Sequence, residues 1–401
     1  MRFSAACSLV LLTVGVSQIC ADFSFVNSDI HILLANKRKL QAGDQEMVFA
    51  SKNLMERAQK ALVRKTIYTV VQKNQTAPTK DIHDYLSLAR YYWPDKTKPK
   101  GLPYVRKDGH PNPETRQVAD YKLLHDLIND IRDLGFAFFF TGHNKYAVKA
   151  IANLQSWFIN EETKMNPNLN FAAMIKGHKF GKRTGLLDMR TIGDLLDALP
   201  ILQKSPSWKP EHTDGIQVWF NSYLDWLNST PFSIEEQGSI NNHGTYFDYQ
   251  LISIALSLGK TNLAVATAQN ATTRRIAAYI NPQGVQTEEV KRPNSWGYSI
   301  FNIQGLCLLA RSAKLASIDL WDYSTSDGRS IRTGINYLIP FALGKAKWPY
   351  KDVIKNSTNN EFVAVLEMAG RTYNDPVYLN AFDALKEKYP PKINYSRLTL
   401  P

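Results

Sequence analysis

Cysteine is almost missing: the 401 residues hold three, Cys7, Cys20 and Cys307. That excludes a small disulfide-stapled scaffold, so stability must come from a large core. Long apolar runs are equally scarce. The only one, Cys7 to Val16 near the N terminus, is too short to span a bilayer, and no stable membrane span is expected. No Gly-, Ser- or Pro-rich stretch divides the chain, so one fold unit is expected rather than two joined by a linker. Acidic residues are outnumbered, 36 against 48 basic ones, giving a formal charge of +12. Such a surplus suits an anionic partner. The eight histidines form neither an HExxH pattern nor a tight His/Asp cluster, so neither a metal nor another cofactor is expected. Phosphate loops and nucleic-acid-binding motifs are absent, so charge is the only argument for nucleic acid, and no nucleic-acid partner is expected.

What is present begins with Met1 to Ala21, MRFSAACSLVLLTVGVSQICA. Arg2, the short apolar run and the small residues near Ala21 read as a cleaved secretory signal, which makes the protein secreted or periplasmic. Cleavage would leave Cys307 alone, in the apolar run IQGLCLLA, where it reads as a buried small hydrophobe. Asn-x-Ser/Thr sequons stand at Asn74, Asn228, Asn270, Asn356 and Asn394.

Helical periodicity dominates the rest. From Gln117 to Phe140, Val118, Tyr121, Leu124, Leu127, Ile128, Ile131 and Leu134 recur mostly at three- and four-residue steps. Similar stripes cover Tyr146–Phe158, Ile216–Leu227, Tyr246–Leu258, Tyr298–Leu315 and Phe362–Ala369. Only Val70–Val71 reads as a strand, weakly. Three stretches, beginning at Gly142, Gly259 and Tyr373, each give a turn and then a helix with small residues between larger apolar ones. Such repeated hairpins predict a mainly α chain built as an (α/α) toroid, an incomplete (α/α) barrel or an α-solenoid. Trp93 to Glu114 is dense in Pro, Gly and charge and reads as a long irregular loop carrying Tyr104, Arg106, Asp108 and His110.

Two segments carry chemistry. NNHGTYFDYQ, Asn241 to Gln250, sets two amides against His243 where a helix begins near Thr245; one Asn can be a simple cap. EEVKRPNSWGYSIFN, Glu288 to Asn302, is interrupted by Pro293 and Gly297, which leaves Arg292, Trp296 and Tyr298 ahead of a helix from Ser299 to Leu309. Together they suit removal of a proton beside a carboxylate. The C5 proton of a uronic acid is too weakly acidic to leave until its carboxylate is neutralised. Amide donors such as Asn242 and a cation such as Arg292 supply that neutralisation. A neutral His243 or a tyrosinate takes the proton, and Tyr298 returns one to the leaving oxygen. Tyrosine ionises near ~10, so a close Arg is needed to favour its anion.

These segments, with VQTEE upstream of the second, resemble the alginate lyase domain superfamily, and most closely polysaccharide lyase family 38. The resemblance continues through YYWPD…GLPYVRKDGHPNPE, NPNLNFAAMIKG followed by GLLD, and LWDYSTSDGRSIRTGINYLIPF, in order over nearly the whole mature chain. It implies a single α/α-toroid lyase domain over residues 22–401 with a substrate groove, acting by β-elimination on 1,4-linked uronate polymers such as alginate or glucuronan. Carried over by residue, Asn242 helps neutralise the carboxylate and His243 is base or neutraliser according to the sugar epimer. Tyr298 is the acid and, for syn elimination, also the base; Arg292 lies beside it. In older relatives a His stands close to that Tyr, where this chain has Trp296 and Gly297.

Around this set, Tyr104, Arg106, Lys182 and Arg183 are candidates to bind flanking uronates, and Trp296 to stack on a sugar ring. Glu236 is a further substrate-binding candidate; with Glu235 it either supports His243 or is half of a solvated acidic pair. Trp321 is expected in the core. Two other readings stand beside the lyase: a hydrolase on a similar toroid using Asp248 with Glu288, and a non-catalytic binder of acidic glycans. Oligomeric state is not legible.

Overall fold

The computed structural model describes residues 22–353, 359–390 and 396–400. The expected signal segment, residues 1–21, and the sequons at Asn356 and Asn394 lie outside the described residues.

Two helices, α1 (Ile30–Gln41) and α2 (Gln45–Val63), open the described chain. Asp29 and Asp44 cap them by accepting amides of the first turn, as short acidic side chains at that position should. The short strands β1 (Leu86–Leu88), β2 (Tyr92–Trp93) and β3 (Val105–Arg106) follow, then α3 (Asp120–Thr141), α4 (Asn144–Leu154) and β4 (Phe171–Met174). The remainder is helical: α5 (Ile192–Leu196), α6 (Leu199–Leu202), α7 (Pro210–Ser229), α8 (Pro231–Gln237), α9 (Asn242–Ser257), α10 (Thr261–Ala271), α11 (Ser295–Leu315), α12 (Ile331–Ala342), α13 (Asn359–Tyr373) and α14 (Pro376–Lys386).

Each stripe read from the sequence is a helix here. The three repeated stretches open α4, α10 and α14, each packed on the helix before it, α3, α9 and α13. These hairpins build an incomplete (α/α) toroid whose inner helices read differently from its outer ones. An inner helix is apolar all round because it is covered on every side. In α9 every residue is buried except His243. Helix α11 packs along α9 and is similarly enclosed, with Cys307 and Trp321 in the same core.

Two expectations fail. Val70 and Val71 lie in no strand; the strands are elsewhere, β1 parallel to β4 and β2 antiparallel to β3. Strand pairing is non-local, so two adjacent β-branched residues do not specify it. Nor is Trp93–Glu114 wholly irregular. Tyr92 faces Arg106 and Trp93 faces Val105 across a hairpin, and Asn112 Nδ2 donates to the Tyr92 carbonyl at 2.7 Å. Trp93 Nε1 adds a bond to the His110 carbonyl at 2.8 Å.

Candidate active site

The helix mouth at Asn241–His243 divides its work by side chain. Asn241 is the cap: its carboxamide oxygen accepts the His243 amide at 3.2 Å. The helix therefore starts at Asn242, a turn earlier than the sequence suggests. Asn242 is fully buried and turns inward. Its backbone N–H donates to Glu289 Oε1 at 2.6 Å, and its Nδ2 lies 2.9 and 2.8 Å from the two Glu289 oxygens. Gly244 must be a glycine, because a Cβ there would run into the Ser239 carbonyl and the side chains of Arg275 and Tyr279.

His243 is left facing solvent. Its Nδ1 is hydrogen-bonded to Glu236 Oε1, and Arg183 Nη1 and Ser239 Oγ both reach Glu236 Oε2. With Nδ1–H donated to a carboxylate, the neutral ring carries its lone pair on Nε2, the form a base needs. Glu236 is 1% exposed, so it is neither half of a solvated pair nor placed to bind a sugar. It is an orienting acid, charge-balanced by Arg183; Glu235 alone is exposed, 2.7 Å from Arg183 Nε.

Tyr298 lies in the first turn of α11, which begins at Ser295 rather than Ser299. Arg292 Nη2 donates to its hydroxyl at 2.8 Å, and the guanidinium carbon is 3.9 Å from its ring centroid. The Tyr91 hydroxyl, just before β2, is a second partner at 2.9 Å. Arg292 also grips Asp108 through Nη2 at 2.9 Å and Nε at 3.2 Å, and Arg106 approaches Asp108 at 3.1 Å. Gly109 follows in left-handed backbone, φ 78°, and a Cβ there would stand 3.1 Å from the Pro293 ring. The β2–β3 hairpin is thereby laid onto the segment that carries Arg292 and Tyr298.

The charges respond accordingly. Burial raises the Tyr298 phenol above its ordinary range, its Tyr91 neighbour adds to this, and Arg292 opposes it. Burial also works against the Asp108 anion, but the hydrogen bonds and charge of Arg292, with Arg106 behind, hold that carboxyl below the usual range. Glu289 lies between the halves, in the fields of both His243 and Arg292, and burial lifts it to about 7. A buried chain of hydrogen bonds fixes the halves together: Thr245 Oγ1 to Asn302 Oδ1 at 2.7 Å, Asn302 Nδ2 to Gln286 Oε1 at 2.8 Å, and Gln286 Nε2 to the Ser299 carbonyl at 2.8 Å.

The flanking candidates are placed unequally. Arg106 and Arg183 touch the acids that hold the two halves. Tyr104 and Lys182 are a step further out: Tyr104 donates to Glu114 at 2.9 Å, and Lys182 Nζ to the Tyr92 hydroxyl at 2.8 Å. Trp296 is not a sugar platform. It is 7% exposed, bonded to Asn359 at 2.7 Å and packed on Trp348, because α11 starts early enough to turn it into the core. The hydrolase pair fails too. Asp248 is 2% exposed and clasped by Arg275 at 2.6 and 2.9 Å, while Glu288 pairs with Lys291 at 2.5 Å.

Sequence reasoning missed Glu289, Tyr91 and the use of Asp108. Glu289 stands beside the partly exposed Glu288, and adjacent identical residues carry no mark of which one turns inward. Tyr91 and Asp108 sit in the YYWPD and RKDGH stretches, whose approach to Tyr298 is a matter of tertiary folding.

With this geometry in place, comparison with known proteins is direct. The alginate lyase family profile matches residues 69–348. Among solved structures, an alginate lyase from Bacteroides ovatus is 32% identical, with TM-score 0.86, over 94% of this chain and 99% of that one. Alginate lyase A1-III from Sphingomonas species A1 shares the fold at 16% identity, TM-score 0.55, over 87% and 89%. A His-to-Ala variant of A1-III complexed with a tetrasaccharide gives 15% and 0.59 over 89% and 90%. No curated protein matches by sequence. The chain belongs to the alginate lyase family and is a polysaccharide lyase.

Proposed function

We propose that this is a secreted or periplasmic lyase that cleaves alginate, and the related 1,4-linked glucuronan, by β-elimination at the site formed by Asn242, His243, Arg292 and Tyr298. The observation that supports this best is the double engagement of Arg292. One nitrogen reaches the Tyr298 hydroxyl at 2.8 Å and a carboxylate, that of Asp108, at 2.9 Å. The site thus already holds a carboxylate and a phenol side by side on one cation, the neighbourhood a uronate needs.

The steps follow from charge. The substrate carboxylate takes up hydrogen bonds from Arg292 and Asn242, which makes C5–H acidic enough to lose. His243 Nε2 removes that proton when it lies opposite the leaving oxygen; Tyr298 does so when both are on one face. The freed electron pair becomes the C4=C5 double bond, the C4–O4 bond breaks, and O4 takes a proton from the Tyr298 hydroxyl. The Tyr298 anion, where it forms, is stabilised by Arg292. The basic surplus, Arg106 and Lys182 included, would draw in the remaining uronates.

Incubation with alginate and with glucuronan tests the reading through the ultraviolet absorbance of the unsaturated product. A rise on at least one polymer is expected; a folded protein giving no rise on any uronate polymer would refute it. Reducing ends without absorbance would indicate hydrolysis instead.

A further inference from the structure

Arg190 is a cation without an acid. Its Nη1 donates to the Leu187 carbonyl at 3.1 Å and to His125 Nε2 at 3.2 Å, and its guanidinium carbon lies 6.0 Å from the Tyr121 ring centroid. Among the described residues no carboxylate is within ion-pairing distance of it. The nearest acid in sequence, Asp188, has its Oδ2 taken by Ser87 Oγ at 2.5 Å and the Tyr85 hydroxyl at 3.0 Å. Arg183, Arg275 and Arg292, by contrast, each grip a carboxylate, at 2.7, 2.6 and 2.9 Å. A guanidinium fork matches a carboxylate through two parallel hydrogen bonds, and the chain supplies no such partner to Arg190.

The backbone carries this cation along the same side of α9 as the catalytic set. The 3₁₀ segment Arg183–Met189 begins where Arg183 reaches Glu236, the acid that orients His243, and ends just before Arg190. Midway, Gln250 Nε2 donates to the Leu186 carbonyl at 2.9 Å. His243, Tyr246 and Gln250 recur at three- and four-residue steps and so share one helix face. Tyr246 lies in the fields of both Arg190 and Glu289, the acid bonded to Asn242. Arg190, His125 and Thr191 are partly exposed and Tyr121 is 38% exposed, so the cluster reaches solvent. Tyr121 stacks obliquely on His125, with ring centroids 4.4 Å apart. Burial carries the His125 imidazole down to about 3, and the Arg190 charge adds to this, so the ring stays neutral and accepts from Arg190. Burial opposes the Arg190 cation too, but the neighbouring Tyr121, Tyr246 and Asp188 outweigh it.

Resting on the lyase reading, we propose that Arg190 and Tyr121 form a second uronate subsite, in which Arg190 takes the carboxylate of a sugar other than the one that loses its proton and Tyr121 lies against that sugar's ring. His125 holds the guanidinium from behind without competing for it as an anion would. Arg292 and Asn242 read the charge of one sugar; Arg190 asks for a second charge at a fixed step along the chain. A neutral sugar at that step would displace water from the cation and return no hydrogen bond, which a polar site rejects more strongly than an apolar pocket rejects a misfit. The enzyme would therefore favour contiguous uronates over chains in which uronates alternate with neutral sugars.

The test assays the uronate polymer that the wild type cleaves, alginate or glucuronan, beside the same polymer with part of its carboxylates reduced to hydroxymethyl groups. The wild type should prefer the intact polymer. Arg190→Gln should lose about tenfold or more in kcat/KM on intact polymer, mostly through KM, as removal of hydrogen bonds to a charged group does. Its loss on the reduced polymer should be smaller, so that its preference narrows; Arg190→Lys, which keeps the charge but not the fork, should recover part. A folded Arg190→Gln protein with the wild-type KM, or with a preference as wide as the wild type's, would overturn the proposal. Tyr121→Ala changes an exposed side chain and should raise KM a few-fold. An unchanged KM there would overturn the shared subsite even if the Arg190 variants fail to fold by circular dichroism. No unsaturated product from the wild type on any uronate polymer defeats the lyase reading itself; product formed with a KM indifferent to Arg190 and Tyr121 defeats only this inference.

Discussion

The two halves of the site are held by different kinds of structure. On the His243 side, the supports are internal: Glu236 is a buried residue of α8, and Glu289 is enclosed against α9. On the Tyr298 side they come from flanking segments of a short hairpin, since Tyr91 precedes β2 and Asp108 follows β3. A buried orienting acid fixes a ring through desolvated hydrogen bonds that have no good alternative. A partly exposed ion pair such as Arg292–Asp108, 16% and 26% exposed, competes with water and with any incoming carboxylate. The His243 half is therefore set by the fold, while the Tyr298 half depends on the position of a hairpin.

Variants can break this contrast at different depths. Removing the phenolic hydroxyl with Tyr298→Phe should have the largest effect, lowering kcat by about a thousandfold or more, near the upper range for a general acid–base group, with tetrasaccharide affinity largely kept. Glu236→Gln should cost about a hundredfold in kcat, because a neutral partner no longer fixes the tautomer of His243; a loss confined to KM would count against the orienting role. Asp108→Asn loosens the outer half only, and a drop of about tenfold in kcat/KM is expected with little change in Tm, since partly exposed ion pairs add only ~1 kcal/mol or less to stability. Gly109→Ala, straining left-handed backbone against Pro293, should reduce kcat/KM a few-fold, by roughly 1 kcal/mol of hairpin placement. If the inner and outer variants gave equal losses of Tm, the contrast between the halves would fail.

A pH measurement sharpens the same contrast. Glu289 carries a carboxyl pKa raised by burial to about 7. A carboxyl raised above its unfolded value contributes stability that is full at acid pH and is lost as pH rises through the folded pKa. The Glu289→Gln protein should therefore melt higher than the wild type at pH 8 and nearly equally at pH 5. Equal melting at both would show that the inner half carries no such penalty.

The sequence carried the helices well because their signal is local. Apolar positions three and four apart announce α3, α7, α9 and α11 whatever the rest of the chain does. Asn241 as cap was legible for the same reason. Helix starts were read too late at Asn242 and Ser295, and that error put Trp296 on a surface when it belongs to the core. Asn242, His243, Arg292 and Tyr298 could be named as a set because their chemistry is complementary. What holds them was legible only in part: Glu236 could be named with Glu235 as a support for His243 but not told apart from it, while Glu289, Asp108 and Tyr91 reach the site across dozens of intervening residues or are adjacent to look-alikes. Burial, which distinguishes Glu236 from Glu235 and Glu289 from Glu288, is not a property that neighbouring residues encode.

The most direct test compares Tyr298→Phe with His243→Ala on polymannuronate and polyguluronate, scoring unsaturated product on each polymer that the wild type cleaves. The expected result is that the tyrosine variant is silent on both, since every route needs Tyr298 to protonate the leaving oxygen. The histidine variant should lose most on the epimer whose C5 proton lies opposite that oxygen. Turnover by the Tyr298→Phe protein at a rate near the wild type's, on either polymer, would contradict the assignment of the site.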